Sequence, residues 1–210
     1  MALLAVAGTA LTFAAAFLKL ADSVRESELV VRIDQNTLDF TLRHRVGWLS
    51  QTARIVTMLG SGWTVAAVIV FAATMFLFRH RYIDALFVTT STVGTAIAVA
   101  TMKQAVGRPR PALPDRLITA TGAAFPSGHA AQSIACYGAL AVVIVSTSRS
   151  NRTRMVVISG AAVIALAIGA SRIYLGVHWL SDVVGGWLVA TGWLLTLIGI
   201  RAATAPRLRS

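Results

Sequence analysis

The sequence predicts an all-α fold: an integral membrane bundle of six transmembrane helices, with short interfacial helices between the first two spans. Three observations carry this. Six uncharged apolar runs cover residues 2–18, 55–78, 85–102, 130–148, 155–171 and 183–200, each about 17 to 24 residues long. That is the length a helix needs to cross a hydrocarbon core of about 30 Å. Of the 210 residues, 56% are hydrophobic and only 13% charged, where a soluble domain carries roughly 25% charged residues. Mean hydropathy is +0.72, and six such runs leave too little polar surface for a water-soluble domain.

Taken in order, run 2–18 is the first span. It could serve as a cleaved signal peptide, but it lacks a positively charged start and reads as a retained helix. Segment 19–54 carries apolar residues at loosely helical spacing, among them Leu29, Val30, Ile33, Leu38, Leu42, Val46 and Leu49, which predicts one or two short helices lying at the interface. Trp48 and Trp63 fit an aromatic belt there. The remaining five runs are the second to sixth spans. Cys136, the single cysteine, lies in the fourth and reads as a small core residue. No repeat, low-complexity tract or linker divides the chain, so residues 1–210 form one domain.

The net charge of +11 does not point to nucleic acid. The basic residues sit at the ends of apolar runs, without an aromatic-interleaved stripe, and read as topology signals and headgroup contacts. Arg79 and Arg81 follow the second span, Arg149, Arg152 and Arg154 the fourth, and Arg201, Arg207 and Arg209 the sixth, with Asp84 the one nearby acid. The first loop instead mixes its basic residues with Asp22, Glu26, Glu28, Asp34 and Asp39. The positive-inside rule then predicts cytoplasmic N- and C-termini, and first, third and fifth loops outside the cell membrane.

Three polar clusters fall on that outer side. "KQAVGRPRP" holds Lys103, Arg108 and Arg110; "FPSGHA" holds Ser127, Gly128 and His129; "SRIYLGVHWLSD" holds Arg172, His178 and Asp182. Ionisable residues at membrane spans are functional by default. Lys103, Arg110 and Arg172 supply directed N–H donors that suit a phosphate. Ser127 adds a hydroxyl, Gly128 allows close backbone approach, and a helix starting there offers unpaired N–H groups. His178 and Asp182 are four residues apart, so in a helical stretch the carboxylate fixes the imidazole tautomer and leaves the other nitrogen as nucleophile. His129 then serves as general acid. The set describes phosphoryl transfer through a phosphohistidine, with cations rather than a metal neutralising charge; no acidic cluster that would hold magnesium accompanies it, and no cofactor is expected.

At these residues the chain resembles the type 2 phosphatidic acid phosphatase superfamily, membrane lipid phosphatases that share their site with vanadium haloperoxidases. Its three motifs are matched by Lys103, Arg110 and Pro111; by Pro126, Ser127, Gly128 and His129; and by Ser171, Arg172, His178 and Asp182. The resemblance implies His178 as nucleophile, Asp182 as its orienting partner and His129 as acid. It also implies Lys103, Arg110, Ser127, Gly128 and Arg172 as phosphate ligands. Arg108 lies outside the motif, and Asp115 has no assigned role. The expected substrate is a lipid phosphate taken sideways from the bilayer. The reading leans towards undecaprenyl pyrophosphate, with phosphatidylglycerophosphate and phosphatidate as alternatives. A lipid-phosphate binder or transporter would need neither a tautomer-fixed imidazole nor an acid, and a haloperoxidase does not suit six spans.

Overall fold

The computed structural model describes residues 2–204, and among them it is all-helical, without a strand. The elements are α1 (Ala2–Glu26), α2 (Glu28–Arg43), α3 (Gly47–Met58), α4 (Gly62–Phe78), α5 (Tyr82–Val106), α6 (Gly128–Thr147), α7 (Asn151–Tyr174) and α8 (Leu180–Thr204). A single 3-10 turn, Leu113–Asp115, lies in the α5–α6 loop. In lipid a backbone N–H finds its acceptor within its own helix, so the apolar runs are helical, with one break in the second. Among the described residues, five helices are long and apolar enough to cross a membrane: Val6–Glu26 within α1, and α5 to α8.

The second span differs from the expected single run. It is two helices, α3 and α4, bent by 44° at a short break. The sequence "GSG" at 60–62 explains it: Ser61 leaves the helical region and accepts from Thr64 N at 3.2 Å, capping α4. The break sits where the backbone presses on the site, because a Cβ on Gly60 would lie 2.7 Å from Ile168 Cγ2 and 3.3 Å from the His129 ring. At about 1.5 Å per residue, the 17 residues of α4 reach about 26 Å, slightly short of a bilayer core.

Segment 19–54 forms the expected short helices, α2 and the start of α3, after α1 has run on to Glu26. The inner side of α2 carries Asp34 and Leu38, both buried, while Leu29, Ile33 and Phe40 are exposed. α6 contains one wide π turn, Ile134–Gly138, and Ser91 of α5 donates to its Ala135 carbonyl at 2.8 Å.

Away from the site the bundle packs Val65, Ile69, Phe87, Val88, Val143 and Leu194 around Cys136, which is fully buried. Near the site the packing residues become small, with Ala131, Ala135 and Ala190 beside Val99, so α6 and α8 approach closely. α1 lies along α8, and Phe17 stacks on Phe125 of the α5–α6 loop at 5.5 Å between centroids. At the end opposite the site, Arg81 and Arg201 converge on Asp84 at 2.5 and 2.6 Å. Arg207 and Arg209 lie outside the described residues.

Candidate active site

The site forms where three loops meet at one end of the bundle. α5 stops at Gly107, whose left-handed backbone (φ 63°) ends the helix while its N–H bonds back to Lys103. Lys103 in that last turn donates to the carbonyls of Ala123 and Ala124 at 2.6 and 3.2 Å. The returning loop is locked to α8 by Ser127 N donating to Asp182 O at 2.8 Å. Gly186 of α8 permits the contact: a Cβ there would sit 2.5 Å from Ser127 O. α6 then starts at Gly128 with His129 in its first turn.

A cavity of about 430 Å³ is lined by Lys103, Arg110, Gly128, His129, Arg172 and His178, with Thr57, Ser61, Thr119 and Thr121 among its other walls. Six residues expected at the site thus share one cavity, and Asp182 stands behind His178. Ser127 is placed differently. Its side chain is fully buried and accepts from Ala130 N at 3.5 Å as the α6 cap, and it does not line the cavity. Arg172, on the last turn of α7, donates to Thr57 of α3 at 2.9 Å, and its Nε is buried without a partner.

The tautomer of His178 follows from its neighbours. Arg110 Nη1 lies 3.0 Å from His178 Nε2, and a guanidinium can only donate. Nε2 therefore accepts, and the ring proton sits on Nδ1, 3.2 Å from Asp182 Oδ2. Burial first, then the charges of Arg172, Arg110 and Lys103, push the His178 pKa well below its ordinary value. The ring is neutral, with a lone pair facing the cations. Arg110 is itself held by the carbonyls of Gly122, Thr121 and Val177 at 3.0, 3.1 and 2.8 Å.

Arg108 and Asp34 enlarge the site beyond the motifs. Arg108 Nη1 donates to Asp182 Oδ1 and to Ser181 Oγ, both at 2.7 Å, while Nη2 donates to Asp34 Oδ2 at 2.7 Å. Arg108 also lies over the Trp179 ring, 5.6 Å from its centroid. Asp34 had a signal in the sequence: a carboxylate at the spacing of Val30 and Leu38, on the apolar side of α2. The backbone carbonyl of Asp115 takes up Arg45 Nη2 at 2.7 Å, which ties the α2–α3 junction to the loop over the cavity.

A family model described as the PAP2 superfamily matches residues 82–204. Phosphatidylglycerophosphatase B of Bacillus subtilis (strain 168) is 32% identical over 146 residues, 68% of this chain and 70% of that one. The crystal structure of a transmembrane PAP2-type phosphatidylglycerolphosphate phosphatase from Bacillus subtilis matches with a TM-score of 0.83 and 28% identity, over 95% of this chain and 98% of that one. Aquifex aeolicus LpxE shares the fold, with a TM-score of 0.61 and 23% identity over 80% of this chain and 94% of its own. With the family matched across α5 to α8 and its histidines, cations and carboxylate gathered at one end of a membrane bundle, the chain belongs to the PAP2 superfamily and is a multi-pass membrane hydrolase of lipid phosphates.

Proposed function

We propose that this enzyme dephosphorylates phosphatidylglycerophosphate through a phosphohistidine on His178. The observation that carries the chemistry is the neutral His178 with its Nε2 lone pair directed among cations and its Nδ1 proton on Asp182. Lys103, Arg110 and Arg172 hold the phosphate oxygens. His178 Nε2 attacks phosphorus and the bond to the glycerol oxygen breaks; His129, which gains its proton only when the bound dianion offsets the surrounding cations, gives that oxygen its proton. His129 then takes a proton from the water that cleaves the P–N bond, releasing phosphate and returning His178 to its neutral form.

Two features support this lipid over a polyprenyl pyrophosphate. The cavity is lined by three cations and by hydroxyls of Thr57, Ser61, Thr119 and Thr121, which suits a terminal phosphate monoester and the one free hydroxyl of the glycerol that carries it. Arg108, a natural ligand for a second phosphate, is committed to two carboxylates. The two Bacillus subtilis relatives carry the phosphatidylglycerophosphate activity in their names.

An apolar groove of about 780 Å³ between α4 and α5, with Val65, Ile69, Ala73 and Ala96 among its walls, shares Lys103, Gly128 and His129 with the polar cavity. An acyl chain lying there brings its headgroup to His178 from the bilayer. At the opposite end of the bundle, Arg79 and Arg81 follow α4, Arg149 follows α6, Arg152 and Arg154 lie in the first turn of α7, and Arg201 lies in the last turn of α8. By the positive-inside rule the site faces outward and the termini face the cytoplasm.

The test is phosphate release by purified protein in detergent with EDTA. Phosphatidylglycerophosphate, a polyprenyl pyrophosphate and phosphatidate are offered in parallel, with His178→Ala as control. EDTA-resistant release fastest from phosphatidylglycerophosphate and lost in the variant is expected. Faster release from the pyrophosphate overturns the substrate, and release by the variant overturns the nucleophile.

A further inference from the structure

We propose that Asp34, on the interfacial helix α2, is a positioning residue for the His178 nucleophile, acting through Arg108 and Asp182. The proposal deepens the phosphatase reading and rests on it.

Asp34 is 2% exposed, in a helix that otherwise docks through apolar side chains such as Leu38. A carboxylate that deep is costly unless it is paired and hydrogen-bonded. Here it takes one charge and three hydrogen bonds: Oδ2 accepts from Arg108 at 2.7 Å and from the Ser181 hydroxyl at 2.5 Å, and Oδ1 accepts from Ser181 N at 2.9 Å. Anchoring α2 does not require a charge. Balancing Arg108 does.

Arg108 has one nitrogen on Asp34 and the other on Asp182, whose second oxygen takes Trp179 N at 2.9 Å and His178 Nδ1 at 3.2 Å. Asp34, Arg108, Asp182 and His178 form one continuous line from α2 to the reacting nitrogen. A guanidinium gripped at both ends cannot swing, so it fixes the Asp182 carboxylate and with it the imidazole plane. Its charge matters equally. Facing Asp182 alone, Arg108 would draw that carboxylate's electron density away from His178. Shared with Asp34, it leaves Asp182 a strong acceptor for the Nδ1 proton. Lys103, Arg108, Arg110 and Arg172 against Asp34 and Asp182 leave two net positive charges around a neutral His178, matching a phosphate monoester dianion.

The experiment measures kcat and KM on phosphatidylglycerophosphate in detergent micelles for the wild type, Asp34→Asn, Arg108→Gln and the double variant, with thermal midpoints. Asp34→Asn keeps size and shape and removes the charge. We expect kcat to fall about tenfold or more while KM stays within about twofold. In the Arg108→Gln background the same change should cost less than about twofold, because Arg108 is the route. A wild-type kcat in Asp34→Asn overturns the proposal. So does a loss that repeats in full without Arg108, or a lowered midpoint with kcat intact. Should Asp34→Asn fail to fold, Arg108→Lys replaces it: a flexible ammonium lacks the planar, spread nitrogens that hold the two carboxylates in one fixed geometry, so kcat falls at constant KM, and an unchanged kcat overturns the relay. A wild type inactive on this lipid and on every other lipid phosphate overturns the phosphatase reading and the relay together; an active wild type with an unaffected Asp34→Asn overturns the relay alone.

Discussion

Replacing Asp182 by asparagine tests the nucleophile most directly, because the structure shows what the amide would meet. Asp182 accepts from four donors: Arg108 at 2.7 Å on Oδ1, and Trp179 N at 2.9 Å with His178 Nδ1 at 3.2 Å on Oδ2, while its backbone carbonyl takes Ser127 N. An asparagine cannot satisfy the three side-chain contacts. With its NH2 towards His178, donor meets donor twice; the ring proton must move to Nε2, where it faces Arg110 and leaves no lone pair. With its NH2 towards Arg108, a fully buried amide opposes a guanidinium at the former 2.7 Å contact, and the carboxylate charge that stabilises the imidazolium-like transition state is gone. Each lost charge-assisted contact is worth about 1.5 to 3 kcal/mol. Two of them give about 3 to 6 kcal/mol, or about 10² to 10⁴ in kcat. The assay is steady-state phosphate release from a short-chain phosphatidylglycerophosphate, with a melting curve to establish that the variant folds. A folded Asp182→Asn enzyme within about fivefold of the wild-type kcat would refute the reasoning, since the tautomer would then not depend on this carboxylate.

Three other expectations follow from separate parts of the molecule. Gly186→Ala drives a methyl to 2.5 Å from Ser127 O and 3.1 Å from Ala131 N, so the start of α6 must shift; a stability loss of about 1 to 3 kcal/mol should appear as a lower thermal midpoint together with reduced turnover. Ala73→Trp fills the groove between α4 and α5, and should slow hydrolysis of long-chain lipids while leaving a small soluble phosphate ester unaffected; equal effects on both would remove the groove from the substrate path. The low His178 pKa, caused by burial and then by Arg172, Arg110 and Lys103, means that the unfolded chain takes up a proton near pH 6.5 that the folded chain refuses. The unfolded state therefore binds more protons, and this contribution lowers stability by about 1.4 kcal/mol per pH unit below about 6.5 until the folded value is reached, and is flat above it. Melting curves from pH 7.5 to 5.5 should fall more steeply for the wild type than for His178→Gln, and parallel slopes would contradict the shift.

The sequence by itself determined the membrane fold and named the residues from which the proposed chemistry is built. Lipid allows a spanning segment one solution to its backbone hydrogen bonds, so an apolar run of sufficient length is a helix wherever it occurs. Lys103, Arg110, His129, Arg172, His178 and Asp182 carry their chemistry in their types and spacing, and a motif preserves both when written out linearly. Tertiary structure decided the rest. The break between α3 and α4 has a local cause in Gly60, Ser61 and Gly62, but the close approach of Gly60 to Ile168 and His129 is a long-range contact that hydropathy along the chain does not record. Arg108 could equally have been a surface charge or a second phosphate ligand until Asp34 and Asp182 closed on its two nitrogens. Asp34 stands among five acids of the first loop; its spacing from Val30 and Leu38 marks the apolar side of α2, but only packing shows that it is buried and which cation it meets. Local sequence specifies which groups a helix presents. The partner that each buried charge finds depends on how the helices pack, because a carboxylate becomes part of a site only when folding removes its water.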